Sequence, residues 1–96
     1  MIMQKAHLHL IEFALKLDCT VSVFDGEDWQ VKRSKSYSEI KEAVESVGES
    51  SIRIRDNEGD IVGWALIIPS NAPDETVSDM SLTTFMEQWE VLYALG

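Results

Sequence analysis

Ninety-six residues with a 45% hydrophobic and 26% charged share form one domain with one modest core, which excludes a disordered chain and a multidomain one. The formal charge of −9, from 17 acidic and eight basic side chains, disfavours nucleic-acid binding wherever the acids gather. The longest apolar run, Ile61 to Ile68, is far short of the roughly 20 residues a membrane helix needs.

The chain opens on "MIMQKAHLHLIEFALKL", which lacks the uniform apolar centre and small-residue cleavage site of a signal peptide. It reads as a helix over about residues 2 to 17. At about 100° per residue, Lys5, His9, Glu12 and Lys16 share one narrow stripe. Ile2, Met3, Ala6, Leu8, Leu10, Ile11, Phe13, Ala14, Leu15 and Leu17 make nearly all the rest apolar. Two arrangements cover so wide an arc: burial between the sheet and the other helices, or an isologous dimer in which the helix meets its copy. The limited material in a chain this short favours the dimer, with Ile11 and Leu15, beside the polar stripe, at its interface.

"TVSVFDGEDWQVK" is a hairpin. Val21 and Val23 alternate with polar residues, as do Trp29 and Val31, and Gly26 suits the turn. "SYSEIKEAVESVG" is a helix: Ser36 and Glu39 have capping-box spacing, Ile40, Ala43, Val44 and Val47 form one stripe, and Gly48 suits the C-terminal end. A second hairpin turns at "DNEG", with Ile52 and Ile54 alternating with Arg53 and Arg55. Its second strand, "IVGWALII", is apolar on both faces and so belongs inside a sheet covered at least in part on both sides. Pro69 ends it, "PSNAPDETVSDMS" reads as loop, and a last helix runs from about Leu82 to Leu95. Leu82, Phe85, Met86, Trp89, Leu92 and Tyr93 form its expected buried stripe, with Glu87 and Glu90 facing out. The order α-β-β-α-β-β-α predicts an α+β fold: a four-stranded antiparallel sheet from two hairpins, with three helices packed on it.

No motif for catalysis appears. His7 and His9, two apart on a helix, point to nearly opposite sides and cannot share a metal. "DNEGD" has its glycine too early for a calcium loop, and Ile67 stands where the bidentate glutamate belongs. Phosphate-binding loops, nucleophile elbows and dinucleotide fingerprints are missing. Asp74 and Glu75 are adjacent carboxylates in a loop with nothing to perturb them. Cys19, the single cysteine, allows no intrachain disulfide, fits a reducing cytoplasm, and reads as a small buried residue. Each tryptophan falls on its element's expected core stripe, so packing is favoured over a platform for stacked bases. No cofactor is expected, and the chain reads as a non-enzyme.

Charge is the most informative feature. Through Arg55 there are nine acids and all eight bases, a net of −1; from Asp56 onward there are eight acids and no base, a net of −8. Those eight, Asp56, Glu58, Asp60, Asp74, Glu75, Asp79, Glu87 and Glu90, are the candidate partner-binding residues. Such a surface suits a protein with a basic groove, including one that normally holds DNA or RNA. Lys32, Arg53 and Arg55, with Arg33 and Lys35 just beyond, read as local balance for Asp25, Glu27 and Asp28; a weak basic patch is the other reading.

"VSVFDGEDWQVKRSKSY" and "IRIRDNEGDIVGWALIIPSNAPDETVSD" resemble segments of small, mostly uncharacterised proteins of tailed bacteriophages that infect enterobacteria. The resemblance brings no catalytic residues. It implies a role in binding and inhibiting host machinery such as restriction, CRISPR or nuclease systems, in some cases by imitating DNA, in the host cytoplasm. The functional expectation is therefore a non-enzymatic acidic inhibitor of a host nucleic-acid-handling or defence complex. It would act through its C-terminal part on a basic host protein, without direct contact to nucleic acid or membrane. The alternatives are an assembly module that dimerises through the first helix and, more distantly, a small hydrolase.

Overall fold

The computed structural model describes residues 4–95; Ile2 and Met3 of the expected first helix lie outside them. The elements are α1 (Ala6–Lys16), β1 (Thr20–Phe24), β2 (Trp29–Ser34), α2 (Tyr37–Glu45), β3 (Ser50–Arg55), β4 (Ile61–Ile67), a single 3₁₀ turn (Pro73–Glu75), β5 (Val77–Met80) and α3 (Thr84–Leu95). The fold is α+β with three helices, as expected. The antiparallel sheet has five strands rather than four, in the order β2-β1-β3-β4-β5.

The additional strand comes from the stretch read as loop. Val77–Met80 is short and polar, so its pattern carries no strand signal. β4 nevertheless has a second edge whose N–H and C=O groups need partners. β5 supplies them, with Leu66 opposite Asp79 and Ala65 opposite Met80, and the pairing continues as Ile68 N–H donates to the Thr76 carbonyl at 2.8 Å.

All three helices lie on one face of the sheet. That face carries Val21, Val23, Val31, Ile52, Ile54, Ala65 and Ile67, each buried beneath them with Ile40, Val44, Met86 and Trp89. On the opposite face Phe24, Arg53, Val62, Trp64 and Leu66 are half-buried and Trp29 is exposed. β4 lies inside the sheet as expected, and its outer face, half-buried at Val62, Trp64 and Leu66, has no helix over it among the described residues. Its small residues face the helices: a Cβ added at Gly63 would meet Met86 Sδ at 2.7 Å and Met86 Cγ at 2.9 Å. α3 can approach this closely only because Gly63 is bare, so the bulky Trp64 is directed to the outer face.

Trp29 is also outside the core, contrary to its expected place. The ladder between β1 and β2 shifts register between Val23 and Phe24, so Trp29 pairs with Phe24 rather than continuing the Val31 face. Only Trp89, 4% exposed, packs as expected. The α3 stripe is likewise narrower than its sequence: Leu82 precedes the helix and is 84% exposed, and Leu92 is 49% exposed.

α1 resolves the wide apolar arc within one chain. Ala6, His7, Leu10, Ile11 and Ala14 are all buried, and α1 touches α2, α3 and β1. Ile11, fully buried, offers nothing to a second copy, and Leu15 is half-buried against the same core. Assigning Ile11 to a dimer interface is thus corrected: the helix sits between the sheet and its two neighbours, and little of its arc needs outside cover.

The α3–β4 contact generates a direct test. Gly63→Val places branched carbons inside the Met86 contact and should cost about 1–3 kcal/mol, as overpacking does. Gly48→Ala, where nothing lies within 4 Å, should leave stability unchanged or slightly raised. Urea denaturation of the two variants measures both.

Candidate functional site

The eight C-terminal acids do not form one surface. Asp56, Glu58 and Asp60 belong to the β3–β4 turn at one end of β4. Asp74 and Glu75 lie in the 3₁₀ turn beyond the other end, and a seven-residue strand separates the two groups by roughly 20 Å. Asp79 lies on the edge strand β5, opposite Leu66 on the outer face. Glu87 and Glu90 are on α3, in the helix layer. Asp56 is occupied in building its turn: its Oδ1 accepts the N–H groups of Glu58 and Asp60, each at 3.0 Å, and Gly59 takes the positive φ of 90° the turn requires. Within the described residues the ion pairs are Lys35–Asp18 and Lys41–Glu45, so none of the eight acids is neutralised by a cation.

One acid borders a feature the sequence did not disclose. Phe13 and Leu17 of the α1 end, with Thr84, Glu87, Gln88, Val91 and Leu92 of α3, line a shallow groove of about 520 Å³. Leu17 is 52% exposed, Val91 59% and Leu95, one turn further along α3, 80%. Apolar side chains concentrated along one helix face, next to an unpaired carboxylate, are unlike the scattered exposed leucines of ordinary surfaces. Only Glu87 and Glu90 of the expected site residues come near this strip.

The cations gather on the other side of the molecule. Ser22, Trp29, Lys32, Arg33, Arg53 and Arg55 line a hollow of about 400 Å³ on the outer sheet face. Arg33 has the left-handed φ of 48° and donates its N–H to Ser22 Oγ at 2.9 Å. This local bulge brings consecutive residues Lys32 and Arg33 to the same hollow, where a regular strand would send them to opposite faces. The Arg53 guanidinium lies 5.0 Å from the Trp29 ring centroid, and Trp29 packs against Phe24 at 5.1 Å. Arg55 Nη1 donates to the Gly59 carbonyl. The reading of these cations as balance for Asp25, Glu27 and Asp28 is corrected: Asp25 instead accepts the N–H groups of Asp28 and Glu27 and the Gln30 amide, which hold its carboxyl below the usual range.

Searches against protein families, curated proteins and solved structures return no match for this chain.

The two histidines serve packing. His9 Nδ1 accepts the Trp89 indole N–H at 3.1 Å, tying α1 to α3. His7 is fully buried, its Nε2 is 3.1 Å from Glu45 Oε2, and its Nδ1 has no partner. The neutral ring with its proton on Nε2 satisfies this arrangement; a second proton on Nδ1 would be buried without an acceptor. Burial therefore pulls the His7 pKa below 6.5, helped by Lys5 and Lys41 and opposed by Glu45. Burial works against the Glu45 carboxylate too, but hydrogen bonds from His7 and Lys41 prevail and keep its pKa below 4.5.

Both shifts have the same sign for stability. Just below pH 6.5 the unfolded chain takes up a proton at His7 that the folded chain refuses, so stability should fall as pH drops from 7 to 5. Glu45 continues the fall at lower pH, below its unfolded value of 4.5. His7→Gln, which keeps a donor for Glu45, should flatten the segment between pH 7 and pH 5 in chemical denaturation. An undiminished slope there would refute the assignment.

Proposed function

We propose that this protein is a non-enzymatic interaction module whose α1–α3 groove receives a basic amphipathic segment of another protein. The observation that carries the reading is the exposed apolar strip of Leu17, Val91, Leu92 and Leu95 beside Glu87, three of the four on α3, in the stretch after Arg55 that has no Lys or Arg. The strip supplies area to remove from water, and the unpaired acids supply attraction and orientation. A second copy is a poor occupant, because a symmetric contact would set Glu87 and Glu90 near their own copies.

The phage-protein resemblance makes a host nucleic-acid-handling complex the first partner class to test, with inhibition as the consequence of occupying a basic segment. Imitation of DNA is not part of the proposal, since carboxylates at both ends of β4, on β5 and on α3 do not make one phosphate-like row.

A labelled cationic amphipathic peptide of alternating Leu and Lys turns, titrated against the protein by fluorescence anisotropy, tests the groove. Wild type should bind it, with affinity falling as salt rises toward a screening length of about 8 Å, and a peptide with Glu in place of Lys should not bind. Val91→Lys and Glu87→Lys, both exposed, should each weaken binding about tenfold without changing the circular dichroism. Equal binding by these variants would refute the proposal.

A further inference from the structure

The outer face of the sheet holds four cations without a counter-ion in a protein of charge −9. Among the described residues none of Lys32, Arg33, Arg53 and Arg55 forms an ion pair, and no carboxylate lines their hollow. Arg53 and Arg55 are half-buried, so their mutual repulsion is less screened than at an open surface. Acids are plentiful and none is used here. Such an arrangement fits an anion from outside.

The same face carries the aromatic groups that define which anion. Trp29, 37% exposed, lies on β2, and Trp64, half-buried, lies directly opposite Arg53 in the β3–β4 ladder. Ser22, Arg53 and Trp64 form one cross-strand row, while Trp29 pairs with Phe24 two residues along β1 and meets that row through the Arg53 guanidinium over its ring. Neighbouring strands are about 4.8 Å apart, so the two indoles, three strands and two residues apart, stand roughly 16 Å from each other with a guanidinium between them. Indole and guanidinium planes for stacking, alternating with cations for the backbone, are what a single-stranded nucleic acid requires.

We infer that the outer sheet face binds a short single-stranded nucleic acid, two to four nucleotides in contact, with Trp29 and the Arg53 guanidinium stacking on bases and Lys32 and Arg33 meeting phosphates. Asp79 on β5 and the Asp25–Asp28 turn border the face and limit its reach. The Asp56–Asp60 turn, which Arg55 reaches through the Gly59 carbonyl, borders it at the Arg55 end, so the stacking and phosphate contacts are centred on Trp29, Lys32, Arg33 and Arg53. This departs from the expectation that the protein makes no direct contact with nucleic acid, and it stands independently of the groove, which lies on the other side of the sheet.

Anisotropy of labelled eight-nucleotide oligo-dT and oligo-U, at 50 mM and 200 mM salt, tests it. Both should bind, more tightly at low salt, and the matching duplex should bind at least tenfold less tightly. Trp29→Ala should weaken binding roughly tenfold, and Lys32→Gln should lower the salt slope by about 0.7; both positions are exposed, and circular dichroism checks the fold. The inference is overturned if no binding occurs at millimolar protein, if an octaglutamate peptide or the duplex binds as tightly, or if Trp29→Ala binds like wild type.

Discussion

Gly63 and Met86 meet where α3 crosses β4, and this close approach sets the layering of the molecule. A bare Cα on the sheet lets the helix come down onto it, with Met86 fully buried in the gap. α3 then joins α1 and α2 on one face, and three helices on a five-stranded sheet leave the other face without a layer. The positions of all three tryptophans follow: Trp89 packs under the helices, Trp64 is turned away by the helix it would otherwise meet, and Trp29 is carried outward by the β1–β2 register shift.

One-sided layering also explains how so small a chain covers so apolar a first helix. α1 lies over β1 and between α2 and α3, so its broad stripe is used on three sides. The cross-links are specific as well as apolar: His7 N–H donates to Thr76 Oγ1 at 3.0 Å, Trp89 donates to His9, and Tyr93 donates to the Gln4 carbonyl. Because the centre of the helix layer is filled, the apolar side chains left over lie at its margin, on the outward side of α3 and the end of α1. That margin is the groove.

Much of the fold was legible in periodicity. Ile52 and Ile54 alternate as read, Ser36 Oγ accepts the Glu39 N–H as its spacing predicts, and Cys19 is buried. What escaped were features that depend on neighbours. β5 has no pattern of its own and exists because β4 has an edge to satisfy. The exposure of Leu82 and Leu92 depends on how far α3 overhangs the core. The cationic hollow depends on one left-handed residue, Arg33, and on pairing between strands far apart in sequence. Net charge was visible, but its division between a dispersed set of acids and a gathered set of cations was not. The absence of bases after Arg55 identified the acidic half correctly without saying that only Glu87 and Glu90 approach an apolar surface.

The open, positively charged sheet face can be measured through its tryptophans. Stern–Volmer quenching by iodide and by caesium reads both access and local charge. One-sided layering predicts that iodide quenches a substantial part of the emission far better than caesium, and that Trp29→Phe removes most of that preference while Trp89 remains dark to both ions. Equal weak quenching by the two ions, unchanged in Trp29→Phe, would place that indole in a covered core and contradict the layering.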